Sequence, residues 1–271
     1  MKNKKGIASV IGTMTAVVIF VLIFSIILSQ WVPVWVEDIE AEHMSTVRSQ
    51  FATFKSILDS LILQNNKNLT MSCPITLGSK GVPVLTGGTT GVLTFSAYKS
   101  SVNVTTEDLS INATGSGKMK FDSRNRYFTQ QKYIYECGGV VLSQSGGDVV
   151  IGNPQITISN STSGIELTTT LLFIIGSEFA ISGTTTEEIR STLLYYSAES
   201  YSWSSGKNVS INISTDYKTA WEKYFNSSFD ALGLIENTDY KIVKGEKYIN
   251  TTIYNVKKMT LGKANIQIGI G

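Results

Sequence analysis

The chain has 271 residues, enough for one medium domain with a long helix or for two small domains. Its 23 basic and 21 acidic residues nearly balance, and three lysines lie in the first six positions, so no basic stripe indicates a nucleic-acid partner. One histidine and two cysteines exclude a His/Cys metal cluster, and no Walker loop or catalytic motif is present. We therefore expect no enzyme activity, metal, cofactor or small-molecule substrate.

An uncharged apolar segment lies near the start of the chain. No charged side chain occurs from Gly6 to Val36, and about 20 apolar residues suffice to cross a bilayer as a helix. A secretory signal peptide, removed whole, is the alternative. The apolar run is too long for such a peptide, and no small-x-small cleavage site follows it. The sequence therefore predicts a membrane-spanning helix.

Charges on either side of this segment predict its orientation. Lysines precede it and four acidic residues follow it, so the positive-inside rule places the N-terminus in the cytoplasm and the rest of the chain outside. Trp31 and Trp35 lie where aromatic side chains anchor a helix at the membrane interface. Pro33, between them, is expected to kink or loosen the helix.

The helix is expected to continue beyond the membrane to Gln64. Apolar residues recur at alternating spacings of three and four, which is typical of an amphipathic helix. This helix seam consists of Met44, Val47, Phe51, Phe54, Leu58 and Leu61. The seam is expected to pack on the domain that follows the helix. His43, beside it, is interpreted as a helix-surface residue.

The segment from Lys4 to Thr13, Lys-Lys-Gly-Ile-Ala-Ser-Val-Ile-Gly-Thr, resembles the class III (prepilin-type) signal of archaeal type IV pilins and archaellin-like proteins. The resemblance implies recognition by a membrane prepilin peptidase at Lys4, Lys5, Gly6 and Ile7, with cleavage between Gly6 and Ile7. Residues 1–6 would then be a leader and residues 7–64 the pilin helix. Bacterial pilins usually carry Glu at the fifth mature position, where this chain has Ile11, so the resemblance is to the archaeal proteins.

Residues 65–271 are predicted to form a mostly β extracellular head. Short alternating segments are separated by clusters of Gly, Asn and Ser, which favours an antiparallel, sandwich-like arrangement or, as the alternative, a strongly twisted sheet. One amphipathic helix is expected near residues 215–232, with an aromatic stripe facing the core: Tyr217, Trp221, Tyr224, Phe225 and Phe229. The predicted fold class is therefore α+β, a long helix followed by a β-rich head.

Two further features fit an extracellular head. Cys73 and Cys137 are expected to form a disulfide, with two buried thiols as the alternative. Eight Asn-x-Ser/Thr sequons are present, of which Asn212 is expected to be buried within a strand. The glycosylation candidates are Asn68, Asn103, Asn112, Asn160, Asn208, Asn226 and Asn250.

Two functions follow as expectations. The resemblance implies a structural subunit, a minor or large-headed pilin, of an archaeal type IV pilus-like filament whose partners are the membrane, the prepilin peptidase and other pilin subunits. The alternative is a monomeric membrane-anchored surface protein, such as an adhesin or binding module, that uses a pilin-type export signal. The large head favours a minor subunit or this alternative over a major pilin.

Overall fold

The computed structural model describes residues 3–107, 110–161 and 164–271, with side chains from Val10 onward. The chain begins with α1 (Asn3–Ile26), a π-helical turn (Ile27–Trp31) and α2 (Val32–Gln64). The predicted cleavage residues Lys4, Lys5, Gly6 and Ile7 belong to α1 by backbone, but their side chains lie outside the described part. The helix ends at Gln64, as predicted, because Asn65 adopts a left-handed conformation with φ of 46°.

The π-helical turn lies where Pro33 was expected to disturb the helix. Proline has no amide hydrogen and its ring collides with the carbonyl four residues earlier, so regular α-helical bonding fails there. The helix instead forms a π-helical hydrogen bond across five residues, in which the amide of Val32 donates to the carbonyl of Ile27. The predicted irregularity is confirmed, and it separates α1 from α2.

The seam of α2 faces the head. All six predicted seam residues are at most 2% exposed, and they pack in one core cluster with β-strand side chains. Phe51 lies 5.9 Å from the Tyr133 ring and Phe54 lies 5.2 Å from the Tyr135 ring, centroid to centroid. Burial of such side chains contributes about 1.5–3 kcal/mol each. The outer half of the helix is therefore part of the head's own core.

Twelve strands and one helix follow in the described residues. Their bounds are β1 (Thr70–Thr76), β2 (Gly91–Thr106), β3 (Asn112–Ser123), β4 (Gln131–Glu136), β5 (Gly139–Gln144), β6 (Gly147–Gly152), β7 (Ile156–Ser161), β8 (Gly164–Ile175), β9 (Phe179–Gly183), β10 (Thr186–Ser214), α3 (Lys218–Asp230), β11 (Tyr240–Lys244) and β12 (Tyr248–Ile270).

These strands form one sheet of twelve strands and no clear sandwich, so that part of the fold prediction is wrong. The main path is β6-β5-β4-β3-β2-β10-β12-β8-β7, with β1 on β10, β9 on β2 and β11 on β12. Most pairs are antiparallel, but β12 and β8 run parallel from Val256 and Ile165 onward. β3 and β8 also meet at one bridge, Ser116 to Phe173, so the sheet curls until part of it closes.

The two longest strands were predicted as separate shorter ones. β10 has 29 residues and β12 has 23, and they pair along most of their lengths. The segment Ser204–Asn208 is one of the Gly, Asn and Ser clusters expected to separate strands. It is instead an irregularity in the pairing, with Gly206 at φ of 74° opposite Asn255 at φ of 53°. A bulge absorbs these residues while the strand continues.

The helix α3 covers a second core cluster. Trp221, Phe225 and Phe229 are fully buried and Tyr217 and Tyr224 are half-buried, so the aromatic stripe is core, as predicted. The helix ends at Asp230, and in the turn that follows Gly233 takes φ of 68° while the amide of Leu234 donates to the carbonyl of Phe229. This second core is a cluster distinct from the one that contains the α2 seam.

Candidate functional site

The apolar helix α1 has no partner within the described residues. Large apolar side chains between Val10 and Phe24 are 43% to 67% exposed, whereas those of the α2 seam are buried. The helix from Val10 to Gln64 is the one helix of the described chain that is long and apolar enough to cross a membrane. Trp31 and Trp35, the predicted interface anchors, are 56% and 39% exposed and their rings lie 6.4 Å apart.

The head begins immediately after Trp31. Val32 and Val36 are 4% and 2% exposed, and Glu40 and His43 continue the same buried stripe at helical spacing. The end of the head nearest Trp31 is called the base below. Anything that projects from the base lies beside the start of α2, next to the exposed tryptophans.

Glu40 holds one loop of the base. Its side chain is fully buried, and its carboxylate accepts backbone amides of Arg126 at 2.6 Å, Tyr127 at 2.8 Å and Phe128 at 2.7 Å. Three amide donors satisfy a charge that burial would otherwise penalise. The loop between β3 and β4, residues 124–130, is therefore fixed to the helix, and we call it the clamped loop.

His43 lies one turn further along the stripe and is not a surface residue, so that prediction is wrong. It is 8% exposed, its Nε2 is 3.0 Å from the carbonyl oxygen of Thr76, and its ring meets Phe121 edge-on at 5.9 Å. Burial lowers the pKa of the imidazole, although the Thr76 carbonyl and the Glu40 carboxylate partly oppose this effect. The neutral form is therefore favoured.

Strand β1 runs along α2 toward the base. The Cys73 thiol donates to the carbonyl of Gln50 at 3.4 Å, and Thr76, three residues later, accepts from His43, seven helix residues earlier. Three extended residues rise about 10 Å and seven helical residues about 10.5 Å. These two lengths agree, so β1 and α2 run antiparallel side by side. The chain therefore leaves β1 in the direction of Trp31.

The loop that follows β1, residues 78–90, is a hairpin at the base, called the base hairpin below. Its stem is closed by pairing of Gly78 with Thr90 and by the amide of Ser79 donating to Thr89. Its tip is a tight turn in which the amide of Leu85 donates to the carbonyl of Val82 at 3.1 Å. Val84, at the third position of this turn, has φ of 68° and is fully exposed.

A separate cleft of about 680 Å³ lies on the head. Its buried element is Lys118, whose ammonium is 3.4 Å from both Glu136 and Asp216 and 4.8 Å from the centre of the Tyr217 ring. Glu136 also accepts from the indole of Trp221 at 3.0 Å. The other lining charges are three cations, Lys99, Lys120 and Lys247, against one anion, Glu178.

The two cysteines are free, so the predicted disulfide is wrong and the two-thiol alternative applies. Cys73 belongs to the α2 core, whereas Cys137 lies in the tight turn between β4 and β5, against the second core and 3.5 Å from the Ser100 hydroxyl. The two side chains therefore pack in different parts of the head. Burial raises the pKa of Cys73 to about 11 and also raises the pKa of Cys137.

The predicted sequons are spread over the head. Among the candidates, Asn68, Asn112 and Asn160 are exposed, and the half-buried ones are Asn103, Asn208, Asn226 and Asn250. Asn212, expected to be buried, is exposed, because its side chain points away from the core side of β10. Within the described side chains, no group of three or more His, Cys, Asp or Glu could hold a metal ion.

The geometry defines a protein with one apolar helix able to cross a membrane and a β-rich head seated at the end of that helix. The head identifies its family: residues 87–261 match the family described as a family of unknown function (DUF7289), and the chain belongs to it. No curated protein and no solved structure matches the chain. The matched region begins after the tip of the base hairpin and excludes both N-terminal helices.

Sequence reasoning missed Glu40, the clamped loop and the base hairpin. Glu40 could have been noticed because it continues the apolar stripe of Val32 and Val36 at a spacing of four, where a charged side chain is unusual. The base hairpin carries a turn signal, Val-Pro-Val-Leu between glycines, but its apolar tip looks like a strand fragment. Neither signal shows which residues Glu40 or the base hairpin contacts, because those contacts depend on the tertiary structure.

Proposed function

We propose that this chain is a subunit of an archaeal type IV pilus-like surface filament. Cleavage between Gly6 and Ile7 removes the leader, α1 anchors the subunit with its N-terminus in the cytoplasm, and the β-rich head lies outside. The observation that carries the proposal is the contrast between the two parts of the long helix. The apolar face of α2 is buried against the head, whereas α1 is apolar and exposed on all sides. Such a surface requires lipid or neighbouring helices around it.

The division of the helix limits how subunits can assemble. The seam of α2 is buried against its own head, so it is not free to pack on another subunit. Contacts between subunits would therefore involve α1, and the exposed segment from Val10 through the π-helical turn to Trp31 spans roughly 30 Å at 1.5 Å per residue. In the membrane the α1 side chains contact lipid, and in a filament they would contact α1 of neighbouring subunits.

Leader processing tests the first part of the proposal. Gly6→Asp should leave an uncut precursor, because the resemblance implies a small residue at the cut, whereas Gly6→Ala should be processed normally. The measurement is intact mass and N-terminal analysis of the membrane-extracted protein. A mature chain beginning at Ile7 in both variants would contradict the proposed signal.

Assembly is tested separately from anchoring. Gly12 lies on α1, and a side chain added there meets nothing within 4 Å in the isolated chain. Gly12→Leu should therefore leave membrane insertion intact but obstruct close helix packing, and it should remove the protein from sheared surface filaments. Leu22→Ile, which changes shape but not volume, serves as the control.

The monomeric anchored protein remains the second candidate because α2 is already satisfied by its own head. It predicts that shearing releases no filament containing this chain, whether or not Gly12 is replaced by Leu. That result would favour a single anchored adhesin or binding module. The exposed sequons of the head are proposed glycosylation sites in both cases, and mass analysis of head peptides tests them.

A further inference from the structure

The base of the head carries a set of exposed side chains that its own packing does not require. The tip of the base hairpin consists of Val82, Pro83, Val84 and Leu85, of which Pro83 and Val84 are exposed, Val84 fully, and the other two are half-buried. The clamped loop beside it presents Arg124, Arg126 and Tyr127, all exposed. Apolar, aromatic and cationic side chains in this combination are typical of surfaces that contact a lipid interface.

We propose that these two loops form a second membrane contact, which seats the base of the head on the phospholipid surface around α1. The apolar tip enters the interfacial region and the two arginines contact anionic headgroups. This inference rests on the membrane anchoring part of the proposed function. It adds a defined orientation of the head relative to the bilayer.

Reach is the first argument for the contact. His43, level with the end of β1, lies twelve residues beyond Trp31, or about 18 Å along the helix. From Thr76, six extended residues to Val82 advance at most about 20 Å in the direction of Trp31. The tip of the base hairpin can therefore reach the level of Trp31, where the membrane interface is expected. Burial of Val32 and Val36 agrees with the head extending this far.

The clamped loop also points toward the membrane. Along β4, Tyr135 packs on Phe54 and Tyr133 packs on Phe51, so lower residue numbers lie closer to Trp31. The clamped loop, which precedes β4, lies further along α2 in the same direction and contacts Glu40, which is about 13 Å from Trp31 along the helix. Glu40 binds only backbone amides there, which leaves the arginine and tyrosine side chains free to face outward.

Val84 is the second argument. The third position of a turn with Pro at its second position and φ above zero favours Gly or Asn, and a β-branched residue there is strained. The turn places Val84 in this position with its side chain entirely in solvent. Both features are unfavourable in water. Contact with lipid would offset the exposure, because the apolar side chain would then leave water.

A protein partner fits this surface less well. Four apolar residues on one hairpin tip offer far less than the roughly 1,000 Å² that a specific protein interface buries. A bilayer imposes no such threshold, because α1 already holds the chain at the surface and the loops add only a local contact. The partner is therefore a lipid surface with anionic headgroups.

Lipid quenching of a fluorescent label tests the contact in the full-length chain. Single-cysteine substitutions are labelled with an environment-sensitive nitrobenzoxadiazole probe and placed in phosphatidylcholine/phosphatidylglycerol nanodiscs that contain shallow spin-labelled lipid. Val84→Cys reports on the tip, Leu63→Cys, 84% exposed at the far end of α2, is the control, and Ser25→Cys reports on α1. The native Cys73 is buried, Cys137 is half-buried against the second core, and burial raises the pKa of both thiols, which keeps their labelling low.

We expect quenching at Ser25 and Val84 to exceed that at Leu63 at least twofold. Quenching at Ser25 with none at Val84 above the Leu63 level would overturn the second contact while leaving the anchor intact. Absence of quenching at Ser25 would instead overturn the anchor and with it this inference. The three positions therefore separate failure of the contact from failure of the proposed function.

A second set of variants tests the chemistry of the contact. The label is placed at Gly87, where an added side chain meets nothing within 4 Å, and Val84→Asn suits the turn but removes the apolar side chain. We expect Val84→Asn to reduce quenching at least twofold. Arg124→Gln with Arg126→Gln should reduce it in anionic nanodiscs and not in pure phosphatidylcholine. Unchanged quenching in both variants would contradict the proposed lipid contact.

Discussion

The carboxylate of Glu40 should be one of the most important single groups for the stability of the base. Glu40→Ala removes three hydrogen bonds of 2.6 Å, 2.8 Å and 2.7 Å from the amides of residues 126–128. Hydrogen bonds to a charged group contribute about 1.5–3 kcal/mol each, but the three share one acceptor group and the freed loop can take up water. We therefore expect a loss of about 3–5 kcal/mol in the free energy of unfolding.

A matched pair of variants isolates this effect. Glu40→Gln retains one acceptor oxygen and replaces the other with a donor, so it should cost about 1–3 kcal/mol. Glu42→Ala, at an exposed position two residues away, should change stability by less than about 0.5 kcal/mol. For a chain of this size, a loss of 3–5 kcal/mol lowers the melting temperature by roughly 6–20 °C.

The assay combines thermal unfolding of the detergent-solubilised chain with amide hydrogen exchange. In the Glu40→Ala chain, protection should fall first at the amides of residues 126–128, since these are the donors that lose their acceptor. A Glu40→Ala chain that melts within a degree or two of the Glu42→Ala chain would refute the reasoning. Unchanged protection of the three amides would refute it equally.

Three further predictions follow from single side chains. The free energy of unfolding should fall as the pH drops below about 6.5, because His43 is protonated there in the unfolded state while burial lowers its pKa in the folded state. In His43→Gln, the free energy of unfolding should depend less on pH between about pH 7 and pH 5.5. Both cysteines should resist alkylation at about pH 8 in the native chain and react once it is unfolded, with identical mobility in reducing and non-reducing gels, whereas an unreduced crosslink would contradict the free thiols. Val84→Gly should raise stability in detergent by about 1 kcal/mol by relieving the turn, and an equal loss would show that the turn is not strained.

The helical half of the fold could be predicted because its signals are local. The alternation of three and four from Met44 to Leu61 specifies the buried face of α2, and the polar residues after Leu63 mark its end. The aromatic spacing within residues 217–229 likewise predicted the core face of α3. In each case the period of the helix determines which side chains share a face, whatever they pack against.

The strand pairing could not be predicted in the same way. Ser204–Asn208 has the composition of a turn, yet β12 runs alongside and supplies partners, so the strand continues through a bulge. The parallel pairing of β12 with β8 joins segments about 90 residues apart and leaves no local trace. The predicted disulfide between Cys73 and Cys137 was wrong for a related reason. Composition suggests a disulfide, but only the tertiary structure determines whether two thiols lie close together.

His43 and Glu40 show the limit most clearly. Both are polar residues within a run of Glu, Ala and His, which locally resembles an exposed helix face. They are buried because β1 and the clamped loop supply a carbonyl and three amides at matching positions. Partners that lie between 33 and 88 residues away cannot be deduced from the helix alone, so the base of the head was missed.

The same contacts determine how the helix and head can move together. The seam, the Glu40 contacts and His43 attach α2 to the head along almost its entire length, so α2 and the head should behave as one body. The π-helical turn ends immediately before Val32, the first buried residue of α2, and Pro33 follows Val32, so the turn is the place where α1 can change direction. If the base also contacts lipid, a subunit leaving the bilayer for a filament must lose that contact while α1 exchanges lipid for neighbouring helices. In the proposed filament, the base hairpin would then favour the membrane-bound subunit over the assembled one, because the exposed apolar side chain of Val84 would leave lipid for water on assembly.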